Sequence, residues 1–301
     1  MPVTFPVSAS PPPPPLRMAS HDGARSIHWT YLFPQRLVEQ LLVPVGEDGG
    51  QEVVLRMTLA KDVEDPQRHR TRAAFGSLAA VRQWLLAAAP MVTSLHVDPS
   101  GRHLVFDLDI RENYALLSAP CSCAATGDAV CAACWPIANV ALAMVEFQMD
   151  RLTGGAVRAP LCVYSGRNGL HLWYDVRQLE ERHPLRTRAG QQMFFTVLRD
   201  RAHYPPSFFP TLATTYGLPQ VLYRLPKFDE NVTLWPRGGS GAQGHLVKLP
   251  FSLHEKNGRV AYPLAVHGLA LPLPTAAVDW GAARAIMHEW LTQPAHSSSS
   301  S

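Results

Sequence analysis

The chain has 301 residues, 47% of them hydrophobic and 17% charged, a globular composition long enough for a sizeable core in one large domain or two smaller ones. A formal charge of +3 is too mild to require a nucleic-acid partner and does not oppose one. No run approaches the roughly 18 apolar residues of a membrane span, and prolines stand at the N-terminus where a secretory signal would have an apolar segment, so the expectation is an intracellular protein with no membrane partner.

Residues 1–25, with "SASPPPPPLRMAS", read as a Pro-rich disordered tail, and 293–301, ending in "HSSSSS", as a Ser-rich one. No repeat or long low-complexity linker interrupts residues 26–292, which are expected to form one body. Helical periodicity appears near 35–43, 77–88, 136–152, 188–200 and 279–291, and strand patterning at 52–59, 104–110, 161–165, 170–176 and 245–251. Pro136 suits the first turn of the third helix, where a missing N–H costs nothing, and Glu146 and Asp150 break that helix's apolar character on one side. It is expected to pack on the sheet.

The strand "LVFDLDI", residues 104–110, carries two carboxylates in an apolar run. Strand alternation puts Asp107 and Asp109 on one face, roughly 6 to 7 Å apart, and Phe106, Leu108 and Ile110 on the other. Two carboxylates so placed repel and raise a pKa unless a cation or a basic cluster stands between them. A metal ion is the simplest such cation.

Directly downstream, "CSCAATGDAVCAAC" holds Cys121, Cys123, Cys131 and Cys134. A C-x-C and a C-x-x-C joined by a short loop match a tetrahedral Zn²⁺ site, closed and therefore structural. Disulfides are the weaker explanation inside a cell. Cys162, in "LCVYSG", reads as a small buried hydrophobe.

"VYSGRNGLHLW", residues 163–173, runs strand, tight turn, strand. Gly166 and Gly169 permit positive φ and close approach of backbone to an anion, while Ser165, Arg167 and His171 supply donors suited to a polyphosphate. A plain two-glycine hairpin is the competing explanation. In "HLVKLPFSLHEKNGRV", residues 245–260, Lys248 sits in an apolar strand and wants an anionic partner, with His254 beyond it. Asp229, in "LPKFDENVTL", is a third candidate carboxylate, though spacing alone also allows an aspartate in a turn.

In this order the pieces resemble the small, catalytic subunit of the archaeo-eukaryotic DNA primase family. That family's pattern is a D-x-D strand, a cysteine knuckle ending in C-x-x-C-W, an S-G-R-x-G-x-H turn, an aspartate followed by x-N-V, and a K-x-P-F-S-x-H segment leading to a G-R turn. Here these stand as "VFDLDI", "CSC…CAACW", "YSGRNGLHLW", "FDENVT" and "VKLPFSLHEKNGRV", over about residues 104–260. The resemblance implies an α+β fold: a mixed-sheet catalytic core flanked by helices, with a zinc knuckle and no large helical insertion, since 57 residues separate His171 from Asp229.

It implies synthesis of short RNA primers on a single-stranded DNA template from ribonucleoside triphosphates. Asp107, Asp109 and Asp229 would hold two Mg²⁺ or Mn²⁺ ions, and Ser165, Gly166, Arg167, His171, Lys248 and His254 would bind the nucleotide. It also implies a large primase subunit as partner and, in a eukaryote, DNA polymerase alpha, with nuclear localisation there and cytoplasmic localisation otherwise. Two departures stand out: Asn168 replaces the second arginine some relatives carry in the turn, and "LPKF" precedes Asp229 where "PRL" is common. A D-x-D glycosyltransferase would explain the aspartate pair but not the knuckle or the turn. A non-catalytic zinc-bearing DNA-binding subunit would need no aspartate triad.

Overall fold

The computed structural model describes residues 53–59, 71–75, 83, 92–97, 103–121, 123, 130–229, 247–252, 254, 259–274 and 278–292. Both tails, the helix expected at 35–43 and the turn after Lys256 lie outside them, as does the helix expected at 77–88 apart from Gln83, which is helical. Over the described residues the chain is α+β.

Strands β1 (Val53–Leu59), β2 (Thr71–Phe75) and β3 (Val92–Val97) form one antiparallel group in the order β2-β1-β3. The apolar run of 104–110 becomes β4 (His103–Asp109), which ends in a 3-10 helix, Arg111–Leu116. Helix α1 (Pro136–Thr153) follows the cysteines, with Pro136 in its first turn and Gly154 closing it at φ 59°. Then come the hairpin β5 (Leu161–Tyr164) and β6 (Gly169–Asp175), α2 (Arg188–Arg199) capped by Thr187, and α3 (Phe208–Tyr216). The short strands β7 (Val247–Lys248) and β8 (Tyr262–Leu264) and the helix α4 (Trp280–Thr292) complete the fold.

The second sheet runs β4-β6-β5-β8, and every pairing between described strands is antiparallel, so the expectation of a mixed sheet is corrected. The reason is topological. The α1 crossover brings β5 back in the direction of β4, as a β-α-β unit does, but β6 folds back by a tight turn and inserts between them, a split β-α-β arrangement. Strands that run parallel are thus never neighbours.

The core lies between this sheet and the helices. Leu104, Phe106, Leu108 and Ile110 are fully buried, as are Ile137, Val140, Leu142 and Met144 of α1. Phe106 anchors an aromatic cluster with Phe194 and Phe195 of α2 at 5.3 Å each, and with Tyr174 and Phe228 at 5.8 Å. Asp150 is exposed at the end of α1, whereas Glu146 is half-buried and accepts a 2.5 Å hydrogen bond from the Tyr174 hydroxyl, with burial pushing its carboxyl pKa up. The charge that interrupts the apolar helix is therefore answered by a buried phenol.

The strand expected over 245–251 is only Val247–Lys248 within the described residues. Pro250 has no N–H to continue a ladder, and Phe251 turns the chain at φ 68°, a left-handed conformation uncommon for an aromatic residue. Three backbone bonds stabilise that turn: Phe251 N–H donates to Ala261 O at 2.5 Å, Ala261 N–H to Ser252 O at 2.8 Å, and Ser252 N–H to Leu249 O at 3.2 Å. Cys162 is 1% exposed, a small buried hydrophobe as expected.

Candidate carboxylate site and cysteine metal centre

The register of β4 against β6 pairs Asp107 with His171 and Asp109 with Gly169. Cross-strand partners point to the same face of a sheet, so His171 stands beside Asp107, and its Nε2 lies 3.6 Å from Asp107 Oδ1. On the opposite, outer edge of β4, Asp229 forms an isolated antiparallel bridge to Asp107, its N–H donating to Asp107 O at 2.8 Å. His171, Asp107 and Asp229 thus form a row across three segments, and Asp229 reaches it from 122 residues downstream. Gly169 opposite Asp109 contributes no side chain to the row, and a Cβ there would meet Ser165 Oγ at 2.9 Å.

Asp109 is oriented by two donors to the same oxygen: Arg111 N–H at 2.8 Å and the Asn168 side-chain amide at 3.1 Å. Asn168, which the sequence presents as a missing arginine, is in fact a buried carboxylate-holding residue. Its carbonyl also extends the ladder by accepting from Ile110 N–H at 2.9 Å.

The turn itself is built tightly. Ser165 Oγ accepts from Gly169 N–H at 2.9 Å, and the Tyr164 hydroxyl donates to Arg167 O at 2.5 Å. Gly166 adopts φ 86°, and a Cβ on it would lie 2.9 Å from Arg259 O and 3.1 Å from the Val260 carbonyl carbon. Gly166→Ala combines a left-handed strain with a backbone clash, and we expect a stability loss of about 1–3 kcal/mol in denaturant titration. A loss below a few tenths of a kcal/mol would mean that the turn relaxes freely. His254 lies in the same neighbourhood, its N–H donating to Arg259 O at 2.7 Å.

Lys248 is buried at 8% exposure in β7, which pairs with β3 opposite His96. Its charge lowers the proton affinity of both Asp107 and His171, so it stands within the field of the row. Burial, followed by the Lys248 charge, brings His171 down to about 3, so its ring is neutral at physiological pH. Its Nδ1 is buried without a hydrogen-bond partner.

Asp107 moves the other way. Burial first, then the charges of Asp229, Asp109 and Glu112, raise it from 3.8 to about 7 against the opposing pull of Lys248. Glu112, on the 3-10 helix, is thus a fourth carboxylate in the field, one that sequence spacing did not single out. The folded protein holds the Asp107 proton more tightly than the unfolded chain does. The stability this protonated carboxyl confers is fully present below about pH 4 and lost as pH rises through about 7. In metal-free protein, Asp107→Asn should therefore raise the melting temperature at pH 8 and lose most of that gain by pH 4. An equal effect at both pH values would contradict the burial and repulsion described.

The cysteines make a separate centre. The four Sγ atoms of Cys121, Cys123, Cys131 and Cys134 all lie within 4.8 Å of one another. Cys134 Sγ is 3.9 Å from both Cys131 Sγ and Cys123 Sγ, and Cys121 Sγ is 3.1 Å from Cys131 Sγ. A tetrahedron with metal–sulfur bonds of about 2.3 Å has edges of about 3.8 Å, whereas a disulfide needs about 2.05 Å. All four are free thiols placed to hold a metal ion. Burial pushes Cys134 up to about 12, while at Cys131 hydrogen bonds from Cys121, Cys123 and the neighbouring backbone outweigh burial and bring it down to about 6.

Among the described residues the cysteines are the one set of three or more ligating side chains drawn tight enough for an ion. The carboxylates are gathered by backbone pairing instead. Immediately after Cys134, Trp135 Nε1 donates to Leu271 O at 3.0 Å, and Asn139 Oδ1 accepts from Leu271 N–H at 2.9 Å, so the centre also grips the segment following β8. No family model matches the chain, and no curated protein matches it.

Proposed function

We propose that the protein is a primase-type nucleotidyltransferase that joins ribonucleotides on a single-stranded DNA template. The observation that carries this is the row His171, Asp107, Asp229: a carboxylate 122 residues away in sequence sits on the edge of the D-x-D strand, which supports a site where carboxylates from separate segments share divalent cations. Asp107, Asp109 and Asp229 would hold Mg²⁺ or Mn²⁺, and the repulsion from Asp229, Asp109 and Glu112 that adds to burial in raising the proton affinity of Asp107 is what a divalent cation would relieve. When bound, such ions lower the barrier to attack by a 3′-hydroxyl and to departure of pyrophosphate.

The chain's own part is to position and to neutralise. Asn168 and Arg111 N–H fix the Asp109 carboxylate. The Ser165–Asn168 turn, with Gly166, Arg167, neutral His171, Lys248 and His254, offers donors and positive charge to the triphosphate, where charge grows during transfer. His171 binds and does not act as a general acid, because its ring holds no second proton above about pH 3. The cysteines would hold a structural Zn²⁺ beside this site.

The reading is tested with full-length protein, a single-stranded DNA template, the four ribonucleotides and Mn²⁺ or Mg²⁺. Short template-dependent RNA is the expected product. Its absence with both metals and with varied templates, or transfer from a sugar nucleotide instead, would overturn the reading.

A further inference from the structure

We propose that Asn113 is the positioning residue that holds Asp229 against Asp107 and Asp109, a role that rests on the reading of these carboxylates as a divalent-cation site. Asn113 lies on the 3-10 helix after β4 and is 2% exposed. Its side-chain amide donates to Asp109 O at 2.8 Å and to Lys227 O at 3.0 Å, and its Oδ1 accepts from Lys227 N–H at 2.7 Å. One buried amide therefore engages both peptide groups of Lys227 and ties them to the end of the D-x-D strand, across 114 residues of sequence.

The three residues that begin at this tie alternate in function. Lys227 is clamped, Phe228 buries its ring 5.8 Å from Phe106, and Asp229 bridges to Asp107 by its N–H at 2.8 Å. The clamp's three hydrogen bonds add to the Asp229 N–H bond and the Phe228–Phe106 contact in joining this segment to β4. An amide suits the position: aspartate has no N–H to offer two carbonyls, and leucine would remove all three bonds to part-buried backbone groups.

The experiment measures Mn²⁺ binding to full-length protein by titration calorimetry and electron paramagnetic resonance, alongside melting temperature without Mn²⁺. Asn113→Ala should weaken Mn²⁺ binding at least tenfold. Lys227→Pro removes the one N–H that donates to Asn113 while leaving Asn113 in place, and should weaken binding by a smaller factor, about threefold. It serves as the second variant should Asn113→Ala fail to fold. A merely structural Asn113 would lower the melting temperature and leave the Mn²⁺ Kd unchanged, and Kd values within twofold of wild type in every folded variant overturn the proposal. If wild type itself binds no Mn²⁺, the divalent-site reading falls and this role falls with it. If wild type binds Mn²⁺ and makes primers but the variants bind equally well, only the role of Asn113 is lost.

Discussion

Asp107→Ala and Asp109→Ala are each expected to lower primer synthesis by about 10³-fold or more, the scale of removing a main element of transition-state charge stabilisation. The two substitutions should differ in what they do to the folded protein. Asp107 is raised to about 7 by burial and by three neighbouring carboxylates, so its removal relieves repulsion and the metal-free protein should melt no lower than wild type at pH 8. Asp109 is bonded to Arg111 N–H and Asn168, and its removal leaves those donors unanswered, so some stability should go with the activity. Activity lost with stability retained at Asp107 separates a catalytic role from a structural one. Primer synthesis by Asp107→Ala at the wild-type rate would remove this carboxylate from the chemistry.

Much of this site was legible in the sequence, for reasons that differ from residue to residue. Alternation alone placed Asp107 and Asp109 on one face because strand geometry leaves no choice, and the fully buried Phe106, Leu108 and Ile110 follow from the same rule. The three helices at 136–153, 188–199 and 280–292 were visible in their periodicity. Helix α3, "FFPTLATTY", was not, because its Pro210 and three threonines argue against a helix while tertiary packing of Phe209 and Leu212 supports one. Strand β8, "YPL", is short, with a proline opposite Val163 at the sheet edge, and shows no alternation to detect. Asn113 and Glu112 carried no signal: Lys227, which Asn113 holds, lies 114 residues away, Glu112 acts on Asp107 only through the turn of the 3-10 helix, and an Asn four residues after an Asp resembles any turn residue. Asn168 was visible as a substitution but its use was not: only the β4–β6 register brings it to Asp109.

Cys134→Ser is expected to produce the largest loss of stability of any single substitution in the described region. Cys134 is fully buried, its sulfur is 3.9 Å from two of its partners, and a hydroxyl there would deprive a metal of its thiolate. Structural zinc contributes about 10–16 kcal/mol of apparent binding energy in small zinc domains, comparable to the roughly 5–15 kcal/mol that stabilises a whole globular domain. Even a third of that, about 5 kcal/mol, would lower the melting temperature by about 8 °C in a chain of this size. The damage should also reach the carboxylates. Trp135 and Asn139 hold Leu271 from the far side of the centre, and Tyr114, whose phenol is pushed up to about 12 by burial and by the charges of Cys134, Cys121 and Cys123, sits next to Asn113 on the same 3-10 helix. Elemental analysis should find one zinc per wild-type chain and markedly less in Cys134→Ser, with Mn²⁺ binding weakened in parallel. Cys162→Ala supplies the contrast, because Cys162 is equally buried but lies in β5 outside the cluster: it should keep its full zinc content and lose only the packing of one sulfur. Equal zinc in all three proteins would remove Cys134 from the ligand set, and none in wild type purified without chelator would leave the four thiols as packing residues and the carboxylate site without its brace.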